Sequence, residues 1–216
     1  SLGVEVGDRV ATLAWNGYRH FELYYAISGI GAVCHTINPR LSAEQMIYII
    51  NHAGDSIICV DLTFVPILEA IKDKVPSNMK YIIMTDRDHM PDTILENVLC
   101  YEEVLEKGDS NIEWPEFPEE TASSLCYTSG TTGNPKGSLY THRSTVLHSL
   151  TAGISFPETM RAGVRILPVV PLFHVNAWGL AYAAPLVGAS IIFPGPNLDG
   201  KSIFDLMDSE NVFSAW

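Results

Sequence analysis

Short runs that are apolar at every position, IIC at 57–59, IIM at 82–84 and ILPVV at 166–170, alternate along this chain with stretches of helical periodicity. A strand of that kind cannot turn one face to water. It has to lie in a sheet covered on both sides, as parallel sheets flanked by helices are. Parallel neighbours also need a crossover, and the intervening helical stretches supply it, in the right-handed sense. The expected fold class is α/β, a layered parallel sheet flanked by helices.

The spacing predicts strands over 9–15, 32–37, 56–61, 81–86, 123–128, 137–142, 165–170 and 189–194. Helices are predicted over 18–32, 42–52, 64–74, from about 142, over 174–187, and after Asp199. Ser42 with Gln45 three residues on is a capping box. The apolar stretch 175–193 is nearly long enough to span a bilayer. Asn176, Pro185 and the turn at 188–190 make a buried helix followed by a buried strand the better reading.

With 47% hydrophobic and 18% charged residues, the 216-residue chain can bury a sizeable core. Its net charge of −12 is local: residues 86–120 hold twelve Asp and Glu against Arg87 and Lys107. That stretch is expected to be a solvated excursion, an acidic loop between sheet elements. No basic face appears, which argues against nucleic acid as a partner. Cys34, Cys59, Cys100 and Cys126 are scattered without a C-x-x-C pair, as small buried thiols in a reducing cytoplasm would be.

YTSGTTGNPKG, residues 127–137, carries three glycines, three threonines, a serine and a lysine. Glycines permit positive φ and close approach to the backbone. Successive N–H groups form a nest for an anion, hydroxyls add donors, and Lys136 adds a compact positive charge. The chemistry is that of a phosphate cradle. It is not the common nucleotide loop G-x-x-x-x-G-K-[ST], because Lys136 follows Pro135 and Gly137 stands where a Mg²⁺-binding Ser or Thr would be.

The same string resembles the phosphate loop of the adenylate-forming superfamily, [YF]-T-[ST]-G-T-T-G-x-P-K-G, without a gap. Ser138 just beyond it departs from a position that is usually apolar there. The resemblance implies phosphate contacts from Thr128, Ser129, Gly130, Thr131, Thr132, Gly133 and Lys136, and a share in Mg²⁺ binding for Thr128. A second dense segment, LPVVPLFHVNAWG at 167–179, is similar to the family's P-x-[FH]-H region and to bacterial fatty-acyl-CoA synthetases in particular. It implies that His174 stands by the acyl carboxylate and the α-phosphate, that Val175 borders the nucleotide, and that Trp178 gates an apolar tunnel. A core histidine and a core tryptophan remain the bland alternatives for His174 and Trp178.

No Asp or Glu lies between Glu158 and Asp199, so nothing there would pair the ammonium of an amino-acid substrate. A simple aliphatic acid is favoured. The implied function is an ATP-dependent acid–thiol ligase that uses Mg²⁺, activates a medium- or long-chain fatty acid as the acyl-adenylate, and passes it to coenzyme A. Ligases for aryl or short-chain acids, a luciferase-like enzyme and a non-catalytic phosphate-binding module stay as rivals. The partners implied are small molecules, and a homodimer is compatible with the family. VFSAW at 212–216 reads as a strand in which the chain stops, so residues 1–216 are expected to be part of a larger N-terminal domain, with 1–122 and 123–216 as its two halves.

Overall fold

The computed structural model describes residues 2–128 and 133–216. The strands are β1 Arg9–Leu13, β2 Val33–Thr36, β3 Ile57–Val60, β4 Lys80–Ile83, β5 Val98–Cys100, β6 Ala122–Thr128, β7 Lys136–Thr141, β8 Arg165–Leu167, β9 Ser190–Ile191 and β10 Ser214–Ala215. The helices are α1 Tyr18–Gly29, α2 Ala43–Ala53, α3 Val65–Ile71, α4 Tyr101–Glu106, α5 His142–Ser155, α6 Leu180–Leu186 and α7 Gly200–Ser209.

Seven strands form one sheet in the order β5-β4-β3-β1-β2-β6-β7, and β10-β8-β9 form a second. Every neighbouring pair is parallel except the antiparallel hairpin of β6 and β7. IIC and IIM are buried on both faces, as expected, whereas of ILPVV only Ile166 and Leu167 lie in a strand and Val169 just beyond it is exposed. Val10, Cys34, Cys59 and Ile82 pack with Tyr24 and Ile27 of α1, while Ala11, Leu13, Ile58 and Val60 pack with Met46, Ile49 and Ile50 of α2. The first of these cores also takes in Ile166 of β8 and Leu180, Ala181, Ala183 and Ala184 of α6, so the small sheet and α6 dock on the α1 side. All four cysteines are free and buried.

Local signals set the helix ends. The Ser42–Gln45 capping box forms, and α2 closes at Gly54 in the left-handed region (φ 70°). Asp199 accepts from the N–H groups of Lys201 and Ser202 to start α7. Thr141 and Ser144 cap α5 reciprocally.

Several expectations need correction. Residues 86–120 are more than a solvated loop: β5 extends the sheet, α4 follows it, and Leu95, Cys100 and Tyr101 are buried. Acidic residues are spaced between the few apolar ones that dock, and composition hid them. The helix expected over 174–187 begins only at Leu180, after a left-handed turn at Val175–Gly179. Among the described residues no helix is long and apolar enough to cross a membrane.

Candidate active site at the carboxyl ends of the strands

The phosphate-cradle motif spans the turn between β6 and β7. Thr128 pairs with Lys136 and Tyr127 with Gly137, so the last pair of the ladder forms the loop's mouth. Both Thr128 and Lys136 are exposed, and the Thr128 hydroxyl reaches the Lys136 carbonyl at only 3.4 Å. Gly133 has φ +90°, a conformation side chains rarely adopt. Gly137 is needed for another reason: a Cβ there would stand 3.0 Å from Leu125 Cδ1 and 3.4 Å from the Tyr127 ring. Ser129, Gly130, Thr131 and Thr132 lie outside the described residues.

Tyr127 is itself anchored. Its hydroxyl meets His52 Nδ1 at 2.7 Å, and its ring lies against His35. Burial pushes its phenol up to about 12, so it remains a neutral tether at the base of the loop.

The second motif comes to the same edge of the sheet. Thr36, the last residue of β2, donates to the Phe173 carbonyl (3.3 Å). Asn176 donates from Nδ2 to Ser124 Oγ of β6 (2.9 Å) and accepts from the Tyr24 hydroxyl (3.2 Å). Tyr24 also donates to the Leu172 carbonyl at 2.6 Å. The N–H of Val175 faces the sulfur of Cys126, two residues along β6 from Ser124. Side chains alternate along a strand, so Ser124, Cys126 and Thr128 share a face. The segment 173–176 therefore runs antiparallel along β6, with Val175 nearer the loop's mouth than Asn176. Ligands of open α/β sheets bind outside the carboxyl ends of the strands, and both motifs are there.

Asn16, just after β1, fixes the approach to this segment. Its amide donates to the carbonyls of Pro168 (2.8 Å) and Val170 (3.0 Å), and its carbonyl accepts from Leu172 N–H (2.6 Å). The Asn16 loop is held in turn by His20, which bonds to the Thr12 hydroxyl and the Trp15 carbonyl. Complete burial pushes His20 down to about 4, so it stays neutral.

Val175, Asn176, Ala177 and Trp178 all have φ between 48° and 56°, and Gly179 continues at 75°. The left-handed region costs an L-residue roughly 1–2 kcal/mol. Such strain persists only where surrounding bonds over-determine it. The Asn176 bonds supply one anchor. His148 of α5 supplies another by donating from Nε2 to the Trp178 carbonyl (2.9 Å). Gly179 is the only residue that fits beside it, since a Cβ would lie 2.6 Å from the His148 ring.

The turn forms one wall of a cavity of about 440 Å³ whose other walls include Tyr140, Thr145, His148 and Tyr182. Among the described residues no carboxylate lines it. His174 and Trp178 are both exposed, Trp178 by 61%, so neither is a core residue. Trp178→Ala should therefore cost under about 1 kcal/mol of stability, far from the 3–5 typical of a buried tryptophan. Thermal melting checks this, and a core-sized loss would contradict the placement at the cavity's rim.

Thr128, Gly133, Lys136, His174, Val175 and Trp178 thus lie on two segments that both attach to β6. Sequence reasoning missed Asn16, Tyr24, Ser124 and His148. Asn176 gave a signal as a polar break in an apolar run, and it proves to be buried and bonded through both its amide nitrogen and its amide oxygen. His148 gave none, because its task is defined by a carbonyl 30 residues away.

Known proteins place these features in context. The sequence profile described as "AMP-binding enzyme" matches residues 1–215. A medium-chain-fatty-acid–CoA ligase of Ectopseudomonas oleovorans is 51% identical over 98% of this chain. A 3-methylmercaptopropionyl-CoA ligase of Ruegeria lacuscaerulensis is 49% identical, and a long-chain-fatty-acid–CoA ligase of Thermus thermophilus 45%, each over 98%. The chain spans 38–39% of the length of these relatives. Among solved structures, a fatty acyl CoA synthetase of Mycobacterium tuberculosis superposes with a TM-score of 0.77 at 25% identity, over 99% of this chain and 39% of that one. The anthranilate CoA ligase AuaEII, bound to anthranoyl-AMP, shares the fold with a TM-score of 0.80 at 23% identity, over 96% of this chain and 39% of that one. With a profile that runs from end to end and a loop motif matched residue by residue, the chain belongs to the AMP-binding enzyme family.

Proposed function

We propose that this chain carries the phosphate-binding and acid-binding part of an ATP-dependent acid–thiol ligase that acts on aliphatic, fatty acids in the cytoplasm. One observation carries the reading: the mouth of the phosphate loop and the His174 turn both attach to β6, beside a cavity that no carboxylate lines among the described residues. The acid's carboxylate lies at His174 with its tail in the cavity, and ATP lies with its β- and γ-phosphates in the loop. When the carboxylate attacks the α-phosphate, negative charge grows on the departing pyrophosphate. Lys136 meets that charge as a preorganised cation. His174 donates a hydrogen bond on the acid side, and Val175 borders the nucleotide. Coenzyme A then displaces AMP from the acyl-adenylate.

Mg²⁺ fits this donor set only as an ion carried by the phosphates. Among the described residues no cluster of three or more His, Cys, Asp or Glu could cage a metal. The exposed Thr128 hydroxyl, only loosely engaged by the Lys136 carbonyl, is the kind of single oxygen ligand that Mg²⁺ takes beside phosphate and water. Bound there, the ion would neutralise phosphate charge.

The 49%-identical relative named for 3-methylmercaptopropionate favours a second reading, a ligase for short acids. The test is acid-dependent release of pyrophosphate by the intact protein with straight-chain acids from butyrate to palmitate, 3-methylmercaptopropionate, benzoate and amino acids. Turnover with the medium and long straight-chain acids is expected. Preference for 3-methylmercaptopropionate would establish the second reading, and turnover with an amino acid would overturn both. In the same panel Trp178→Ala should change the length preference and leave the affinity for ATP nearly intact. An unmoved profile would retire Trp178 as a gate.

A further inference from the structure

The acid cavity has a neighbour. A second cavity of about 420 Å³ lies between α1, the start of α5 and the strap at 114–117. Its roof is held on a glycine floor: the Trp114 ring fills the place a Cβ on Gly29 would take, and Phe117 stands 3.1 Å from the corresponding position at Gly31. Val146 and Tyr25 line its sides. Two residues, Thr145 and Tyr182, line both cavities.

Tyr182 is fixed in that position. Its hydroxyl donates to the Tyr24 carbonyl at 3.3 Å, and its ring packs at 5.8 Å from that of Tyr24 and 5.3 Å from that of Tyr25. Tyr25 is tied back to α6 by a bond to the Ala181 carbonyl (2.9 Å). Thr145, on the facing helix, is engaged with Ser123 Oγ at 3.2 Å. The partition is thus an aromatic ring clamped between α1 and α6, with a short side chain opposite. Beyond it lies a space of nearly the same size as the first.

We propose that Tyr182 is a specificity-determining residue: its ring closes the floor of the acid cavity, sets the length of aliphatic acid that can be bound, and keeps the second cavity from receiving a longer tail. This rests on the functional reading above and adds to it a residue and a limit. Acids that fit the first cavity gain from each methylene they bury, about fourfold in kcat/KM. The gain stops when the tail reaches the ring. Removing the ring joins the two chambers, so the gain continues to longer acids.

The experiment measures kcat/KM of the intact protein for a series of straight-chain acids. Tyr182→Ala should move the optimum to longer acids by several methylenes, with a tenfold or greater gain for an acid two methylenes beyond the wild-type optimum. Tyr182→Phe keeps the ring and should keep the optimum where it is. Tyr182→Ala combined with Val146→Trp refills the second chamber and should bring the optimum back. An active wild type whose length profile is the same in Tyr182→Ala overturns the inference alone. So does a shift that Val146→Trp fails to reverse, since the tail would then be going elsewhere. A wild type that activates no acid of any length overturns the functional reading and this inference with it. If Tyr182→Ala does not fold, Thr145→Ala opens the opposite side of the same partition, and an unchanged optimum there overturns the proposal.

Discussion

Lys136→Ala in the intact protein is expected to slow acid-dependent pyrophosphate formation by a hundredfold or more. It should change the binding of the acid little. A single preorganised charge at the site where a transition state develops charge is worth about 3 kcal/mol. Lys136 is placed for that role by the hairpin. It opens β7 directly opposite Thr128, is exposed at the loop's mouth, and is kept at a fixed height by the ladder pairs Tyr127–Gly137 and Cys126–Ser138 below it. Its side chain makes none of the ion pairs found among the described residues, so truncation removes little from the fold. The second half-reaction, thioester formation from supplied acyl-adenylate, involves no departing pyrophosphate and should be largely spared. Measuring both half-reactions decides the matter. Equal losses in the two, with a lowered melting temperature, would make Lys136 a structural residue.

How much of this was legible depended on how local the cause is. The capping box at Ser42, the cap at Asp199 and the buried runs at 57–59 and 82–84 are written within a few neighbouring residues, and each formed as expected. The segment 127–137 stood out as a motif because its glycines, hydroxyls and lysine are consecutive. The left-handed turn at 175–178 was not. It contains no glycine, so nothing local announces positive φ, and the conformation is imposed by Ser124, Tyr24 and His148 from three other elements. Asn16 was invisible for the same reason, because its partners lie more than 150 residues away. The segment 86–120 misled in the opposite direction. Its acids dominate the composition, but a sheet edge needs only a few apolar residues to dock, and Leu95, Cys100 and Tyr101 provide them. The sheet departs from parallel at one point. A turn as short as 129–135 cannot hold a crossover, and β7 folds back antiparallel on β6.

His35→Leu is expected to cost about 3–5 kcal/mol of stability at neutral pH, the range for removing one partner of a buried ion pair. His35 and Asp55 meet at 2.7 Å, Nδ1 to Oδ2, with both side chains fully buried beneath Tyr127. Burial holds the Asp55 carboxyl above its usual range, opposed first by the charge of His35, then by its hydrogen bond, and last by the charge of Arg9. A carboxyl whose folded value is raised favours the folded state at low pH. That contribution is lost as pH rises from the ordinary carboxylate range through the folded value. Removing His35 takes away the two largest opposing effects, so Asp55 is pushed higher still and its ionised form is left without a partner. The penalty of the variant should therefore be largest near neutrality and shrink as pH falls below the raised folded value of Asp55, where the carboxyl is protonated and neutral. Replacing Asp55 by Leu as well should recover most of the loss, because an apolar pair carries no buried charge. Melting temperatures of the two variants across pH provide the measurement. A loss that does not change with pH, or that the second replacement deepens, would show that His35 acts through its shape and packing against Tyr127 alone.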